Sequence, residues 1–113
     1  MLRPKRQQQV IIDRQILALH EAMVEKVIAE PHLLVGLQAN LKRYMETGVI
    51  SYGSALLWES ILSSSADPAT FRQLVLSDEQ RMAQLRRRTI FSGILSEDER
   101  EEVLAKYIAS ELA

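Results

Sequence analysis

Residues 8–30 read QQVIIDRQILALHEAMVEKVIAE, and this stretch decides the fold class. Its apolar residues recur in steps of 4, 3, 4 and 4, at Ile12, Ile16, Leu19, Met23 and Val27. Such spacing places them on one side of an α-helix, whereas a half-buried strand would need steps of about 2. The stretch therefore predicts a long amphipathic helix whose apolar stripe faces a core.

Local signals divide the rest of the chain into further helices. Proline fits the first turn of a helix, glycine ends one, and serine or aspartate caps one. The pattern predicts an all-α fold, a single compact bundle of five to six helices in residues 8–113, preceded by a basic flexible tail in residues 1–7. The boundary signals are Pro31, Gly48, Ser51, Asp67-Pro68 and two expected capping boxes, which begin at Ser77 and Ser96.

Length and composition exclude several classes of protein. The chain has 113 residues, 47% of them hydrophobic and 26% charged, with a formal net charge of -1, which is typical of one ordered globular domain. No apolar run reaches the roughly 20 residues that span a bilayer. Glutamines rather than an apolar segment follow the basic N-terminus, which argues against a secretory signal. We therefore expect a cytoplasmic protein without membrane contact.

The sequence contains none of the familiar patterns of catalytic or metal chemistry. It has no cysteine, no phosphate-binding glycine loop and no metalloprotease motif. Its two histidines, His20 and His32, are twelve residues apart, which puts them on different sides of a helix. Ser92 lacks the glycine context of a hydrolase nucleophile. We expect no enzyme activity, no cofactor and no metal, although a small-molecule-binding bundle or hydrolase is a third alternative.

The strongest functional candidate is an apolar connection that follows a cluster of arginines. If the connection is exposed, its apolar residues would bind a partner protein and the arginines would supply charge at the rim. The competing interpretation is that Phe91 and Leu95 anchor the connection to the core. The predicted partner-binding residues are Arg86, Arg87, Arg88, Ile90, Phe91 and Ile94.

The sequence also leaves two other kinds of binding as alternatives, to a nucleic acid and to a second copy of the chain. A nucleic-acid-associated regulator would use a basic N-terminal arm together with other cations on one surface. A homodimer would share the apolar stripe of the first helix with a second copy. The nucleic-acid residues in this alternative are Arg3, Lys5, Arg6, Lys42 and Arg43, joined by Arg86–Arg88.

Two segments resemble a family of small helical bacterial proteins and C-terminal modules found beside helix-turn-helix regulators or in toxin–antitoxin-like gene pairs. Residues 20–34 read HEAMVEKVIAEPHLL and residues 85–100 read LRRRTIFSGILSEDER. Ile90 stands where the family has proline. The positions that match in order are Arg86 or Arg87, Thr89, Phe91, Gly93, Leu95 and Glu99.

The resemblance implies a non-enzymatic bacterial protein that works by binding another protein, in the manner of an antitoxin. The chain lacks the helix-turn-helix domain that some relatives carry before this module, so the resemblance does not imply direct binding to an operator. The function expected from the sequence is a protein-interaction module that binds and modulates a partner protein.

Overall fold

The computed structural model describes residues 5–112, which form six α-helices and one short 3₁₀ turn with no strand in that range. The expected all-α bundle of five to six helices is confirmed. The helices are α1 (Lys5–Ala29), α2 (Leu34–Thr47), α3 (Tyr52–Ser63), α4 (Pro68–Val75), α5 (Gln80–Arg87) and α6 (Glu97–Leu112), with the 3₁₀ turn at Pro31–Leu33.

Helix α1 begins earlier than its apolar stripe does. It starts at Lys5, so residues 5–7 of the expected flexible tail belong to the helix, while residues 1–4 lie outside the described range. The stripe is also shorter than predicted: Met23 and Val27 are buried, whereas Ile12 is largely exposed. The reason is that the other helices cover mainly the C-terminal half of α1.

Most helix boundaries follow from local chemistry. Gly48, with φ +72°, ends α2 in a Schellman motif: its N–H donates to the Met45 carbonyl, and Val49 N–H donates to the Tyr44 carbonyl at 3.0 Å. The Ser51 hydroxyl caps α3 by accepting from the Ser54 amide at 3.1 Å. These termini depend on neighbouring residues alone, which is why the sequence predicted them.

The two expected capping boxes have different outcomes. Ser96 and Glu99 form one at the start of α6: each side chain accepts from the other's amide, at 3.1 and 2.9 Å. Ser77 does not cap α5, because the helix begins at Gln80 and its N-cap residue, Glu79, makes no side-chain cap bond. The Ser77 hydroxyl accepts instead from the Glu79 amide at 3.3 Å, a turn that precedes the helix.

The core is built around three aromatic rings from separate parts of the chain. Phe91 lies between Trp58 of α3 and Phe71 of α4, with ring centroids 5.9 and 6.3 Å away, and all three side chains are fully buried. Such pairs add stability beyond the apolar area that they bury. The segment between α5 and α6 therefore supplies the centre of the bundle.

Candidate functional site

The predicted apolar binding patch lies inside the protein. Ile90, Phe91 and Ile94 are buried, so the expectation that this connection presents apolar side chains to a partner is wrong. The segment is fixed by Asn40, whose amide donates to the carbonyls of Ile90 at 2.9 Å and Ser92 at 3.0 Å. The physical reason is that a short bundle needs the volume of Phe91 to fill the space between its helices.

Arg86 is also internal, which corrects its expected place at the rim of an interface. Its Nη1 donates to the carbonyls of Val75 at 2.8 Å and Ser77 at 2.7 Å, where the unpaired carbonyls at the end of α4 need donors. Burial lowers the pKa of the Arg86 guanidinium. Its function in this fold is to join the end of α4 to α5.

Arg87 and Arg88 make contacts within the chain as well. Arg87 binds Asp13 of α1 through two hydrogen bonds of 2.8 and 2.7 Å, and these bonds lower the pKa of Asp13 and raise that of Arg87. Arg88 is exposed and donates to the Val49 carbonyl at 3.3 Å. Of the three arginines, Arg88 alone combines an exposed side chain with no carboxylate partner among the described residues.

A buried histidine links α1 to the connection before α6. His20 Nδ1–H donates to the Ile16 carbonyl and its Nε2 accepts from the Thr89 hydroxyl, both at 2.7 Å. The Thr89 oxygen accepts in turn from the Phe91 amide at 3.0 Å. Because the carbonyl can only accept, Nδ1 carries a hydrogen, and Nε2 accepts from the Thr89 hydroxyl when the ring is neutral. Burial lowers the pKa of His20 to about 4.

A lysine connects α1 to the start of α6. Lys26 Nζ lies 2.7 Å from Glu99 Oε1 and donates to the Ile94 carbonyl at 2.8 Å. The ammonium lowers the pKa of Glu99 to about 2, with help from the Ser96 amide. The residues of the two segments that carry the bacterial resemblance thus meet in space and hold α1, the connection and α6 together.

The cations of the nucleic-acid alternative do not all lie on one surface. Arg3 lies outside the described residues, and Lys5 and Arg6 occupy the first turn of α1. Lys42 and Arg43 are exposed on α2, where Arg43 donates to Asn40 Oδ1 at 2.9 Å and lies 5.3 Å from the Tyr44 ring centroid. Arg86 cannot join them because it is buried, and Arg87 is already paired.

No cluster of three or more candidate metal ligands occurs in residues 5–112. His20 is buried between α1 and Thr89, while His32 is exposed in the 3₁₀ turn. None of the helices in the same range is long and apolar enough to cross a membrane.

The α2–α3 hairpin carries a set of exposed apolar side chains that were not among the residues predicted from the sequence. We call this set the hairpin surface. Tyr52 is 75% exposed and Val35 is 69% exposed, which is unusual for side chains of this size. The hairpin surface consists of Val35, Met45, Val49, Tyr52 and Leu56.

A groove of about 430 Å³ runs between α2 and α3 beside this surface. Met45 belongs both to the groove and to the hairpin surface. Lys42 lies on the α2 wall of the groove and Glu59 on the α3 wall. The full lining is Gln38, Leu41, Lys42, Met45, Glu59, Leu62 and Ser63.

A second, partly apolar side of α2 could have indicated this surface. Val35 and Met45 belong to positions 35, 38, 42 and 45, whose steps of 3 and 4 define that side, and the other two positions are Gln38 and Lys42. Periodicity alone does not show which of two sides faces the core. The core side is that of Leu37 and Leu41.

Comparison with known proteins found no family model, no curated protein and no solved structure that matches this chain significantly.

Proposed function

We propose that this chain is a non-enzymatic protein-interaction module that binds an amphipathic helix of a partner protein on its hairpin surface. The observation that carries the proposal is the concentration of exposed apolar side chains on one hairpin. Half of the large hydrophobic residues that are exposed in the described range lie between positions 35 and 56. Exposed apolar groups that cluster in this way are typical of surfaces that another molecule covers.

The residue types favour a protein partner. Tyrosine and methionine are enriched in the buried centres of protein interfaces, because they supply apolar area in side chains that adapt to a partner. Tyr52 and Met45 supply these types here. A helix lying in the groove would cover them with residues spaced three and four apart.

The charges beside the groove define the chemistry of that helix. Lys42 on α2 and Glu59 on α3 stand on opposite walls. A helix with an acidic residue on one flank and a basic residue on the other would satisfy both, whereas a nucleic acid would be repelled by Glu59. We therefore assign the partner to proteins whose helix carries an apolar stripe between flanks of opposite charge.

Covering such a helix would block whatever the helix does in the free partner. This is how the antitoxin-like role implied by the bacterial resemblance would operate, in the cytoplasm of the cell. Within the proposal, the residues first expected to bind the partner act indirectly: Arg86, Ile90 and Phe91 form the core that supports the bundle.

The test is affinity purification of the tagged chain from its native cells with nuclease treatment, followed by binding measurements with the purified partner. The double variant Tyr52→Ala/Leu56→Ala should weaken binding by at least about tenfold, since central aromatic contacts carry much of an interface's free energy. The matched control is Leu74→Ala, which removes an exposed leucine from α4.

Equal binding by both variants would overturn the assignment of the hairpin surface. Recovery of nucleic acid that disappears with nuclease, without a protein partner, would overturn the proposed function and favour the basic residues Lys42 and Arg43 as the binding surface.

A further inference from the structure

A cleft of about 300 Å³ lies where α1, the end of α5, the connection before α6 and the first turn of α6 meet. We call it the arginine cleft, because Arg86, Arg87 and Arg100 line it. Its volume is at the lower end of the range of small-molecule sites in proteins. The cleft shares no residue with the hairpin surface, so what it binds is a separate question from the proposed protein partner.

Every side chain of the lining that is charged at neutral pH is an arginine. Arg87 is paired with Asp13, which offsets its charge. Arg100 is exposed, and no carboxylate in the described part of the chain pairs with it. His20 also lines the cleft but adds no charge, because burial lowers its pKa to about 4. The cleft therefore carries an excess of positive charge.

Arg86 is a buried cation without a counter-ion of its own. It is only 3% exposed; its Nη1 donates to two neutral backbone carbonyls, and its Nε has no hydrogen-bond partner among the described residues. Asp13 and Asp78 attract the guanidinium without forming an ion pair with it. Charged side chains are rarely buried unpaired, because their removal from water costs free energy. An anion in the arginine cleft would offset this cost.

Much of the remaining lining is apolar. Ile16 and Leu19 of α1 and Leu95 of the connection are only half-buried, so part of their apolar surface is free to contact an occupant. Burying this surface would favour binding in proportion to the area that is covered. An inorganic anion would use the arginines alone, and a neutral hydrocarbon would use the apolar side chains alone. The lining as a whole fits a molecule that has both an anionic group and an apolar body.

The cleft is formed by contacts within the chain. The Thr89 hydroxyl beside it is held by His20 at 2.7 Å. Gly93 continues the edge of the cleft in a turn in which the Ile94 amide donates to the Phe91 carbonyl at 3.2 Å. The φ of Gly93 is +84°, a conformation that favours glycine in such a turn. A site that is already ordered loses little conformational freedom when a ligand binds.

From this arrangement we propose that the arginine cleft binds a small organic carboxylate with an apolar body. Arginine suits a carboxylate because its planar guanidinium can donate two parallel hydrogen bonds to the two oxygens. Arg100 would meet the carboxylate from the exposed side of the cleft, beside the buried charge of Arg86. The apolar body would lie against Ile16, Leu19 and Leu95.

The first test is an NMR titration of the full chain with benzoate and octanoate, which offer a ring and a chain as the apolar body. At least one of them should give saturable shifts in the amides of residues 89–95 and bind at least about tenfold more tightly than its neutral analogue, benzamide or octanamide. Inorganic phosphate should bind more weakly than that carboxylate. Absence of saturable shifts with both carboxylates, equal binding of the neutral analogues, or tighter binding of phosphate would overturn the proposal.

The second test compares two exposed cations of α6. Arg100→Glu should raise the dissociation constant of the carboxylate by at least about tenfold, because it replaces an attractive charge at the cleft by a repulsive one. Lys106→Glu makes the same charge change outside the lining and should leave the constant unchanged. Urea unfolding would confirm that both variants fold. Equal affinities of the two folded variants would contradict the assignment of the site.

Partner capture by the hairpin surface is measured separately, so either proposal can fail while the other stands.

Discussion

His20 shows how much one residue contributes to this fold. Its ring joins the Ile16 carbonyl to the Thr89 hydroxyl, and its edge lies against Phe91 with ring centroids 5.4 Å apart. A protonated ring would lose the acceptor that Thr89 uses, and it would place a positive charge near the Arg86 guanidinium. Burial and the nearby guanidinium therefore favour the neutral histidine.

This neutral histidine predicts a loss of stability in acid. Its pKa is about 4 in the folded chain and near 6.5 when unfolded, so the unfolded state binds more protons between these values. The free energy of unfolding should have its full value above pH 6.5 and should fall by about 3 kcal/mol as the pH drops from 6.5 through 4. Urea unfolding between pH 7 and pH 4 would measure the change.

The variant His20→Gln should lack this pH dependence between pH 6.5 and 4, whatever its stability at neutral pH. His32→Gln, which removes an exposed histidine, should retain it. Identical slopes for wild type and His20→Gln would contradict the assignment of the acid sensitivity to His20.

Individual residues were the hardest features to predict from the sequence. The sequence of the connection, in which four apolar residues follow three arginines, is compatible with both a core position and an exposed position of Phe91. Nothing local shows that Asn40, fifty residues away from Ile90, fixes this connection. The same holds for the position of Arg86, because the carbonyls that it binds lie at and just after the end of another helix, α4.

At the level of secondary structure, α6 is stabilised by its first turn and by the partial burial of Val103, Leu104 and Tyr107. None of its residues is buried, and the Ser96–Glu99 capping box satisfies two amides at its start. Three acids in the first turn also favour the positive end of the helix dipole. The capping box and the acids of the first turn thus stabilise a helix whose side chains are only partly covered by the rest of the chain.

Removing the cap should therefore have a measurable effect on the stability of the protein. Ser96→Ala should lower the free energy of unfolding by about 1 kcal/mol, the usual cost of a lost N-cap side chain. Chemical denaturation would measure it, with Ser110→Ala near the other end of α6 as the control. A loss equal to that of the control would show that the capping box contributes nothing to stability.

At the scale of the whole molecule, the hairpin surface and the buried histidine network belong to different parts of the fold. The hairpin surface belongs to α2, α3 and their connection, whereas His20 and Thr89 join α1 to the connection before α6. The residues of the two sets do not overlap, and substitutions without shared contacts usually have additive effects.

Partner binding and acid sensitivity should therefore be independent. Tyr52→Ala/Leu56→Ala should weaken partner binding without changing the pH dependence of unfolding between pH 6.5 and 4, and His20→Gln should remove that pH dependence without changing partner binding at neutral pH. Titration calorimetry and urea unfolding on both variants would measure this. A variant that changes both properties would show that the two parts of the molecule are coupled.

The sequence by itself determined the helical class, the number of helices and most of their ends. Periodicity, prolines, glycines and capping side chains act over a few residues, so a linear pattern contains that information. Tertiary structure decided which apolar residues are covered. It buried Phe91 and Arg86, and it exposed Tyr52 and Ile108, because burial depends on the helices that arrive from elsewhere in the chain.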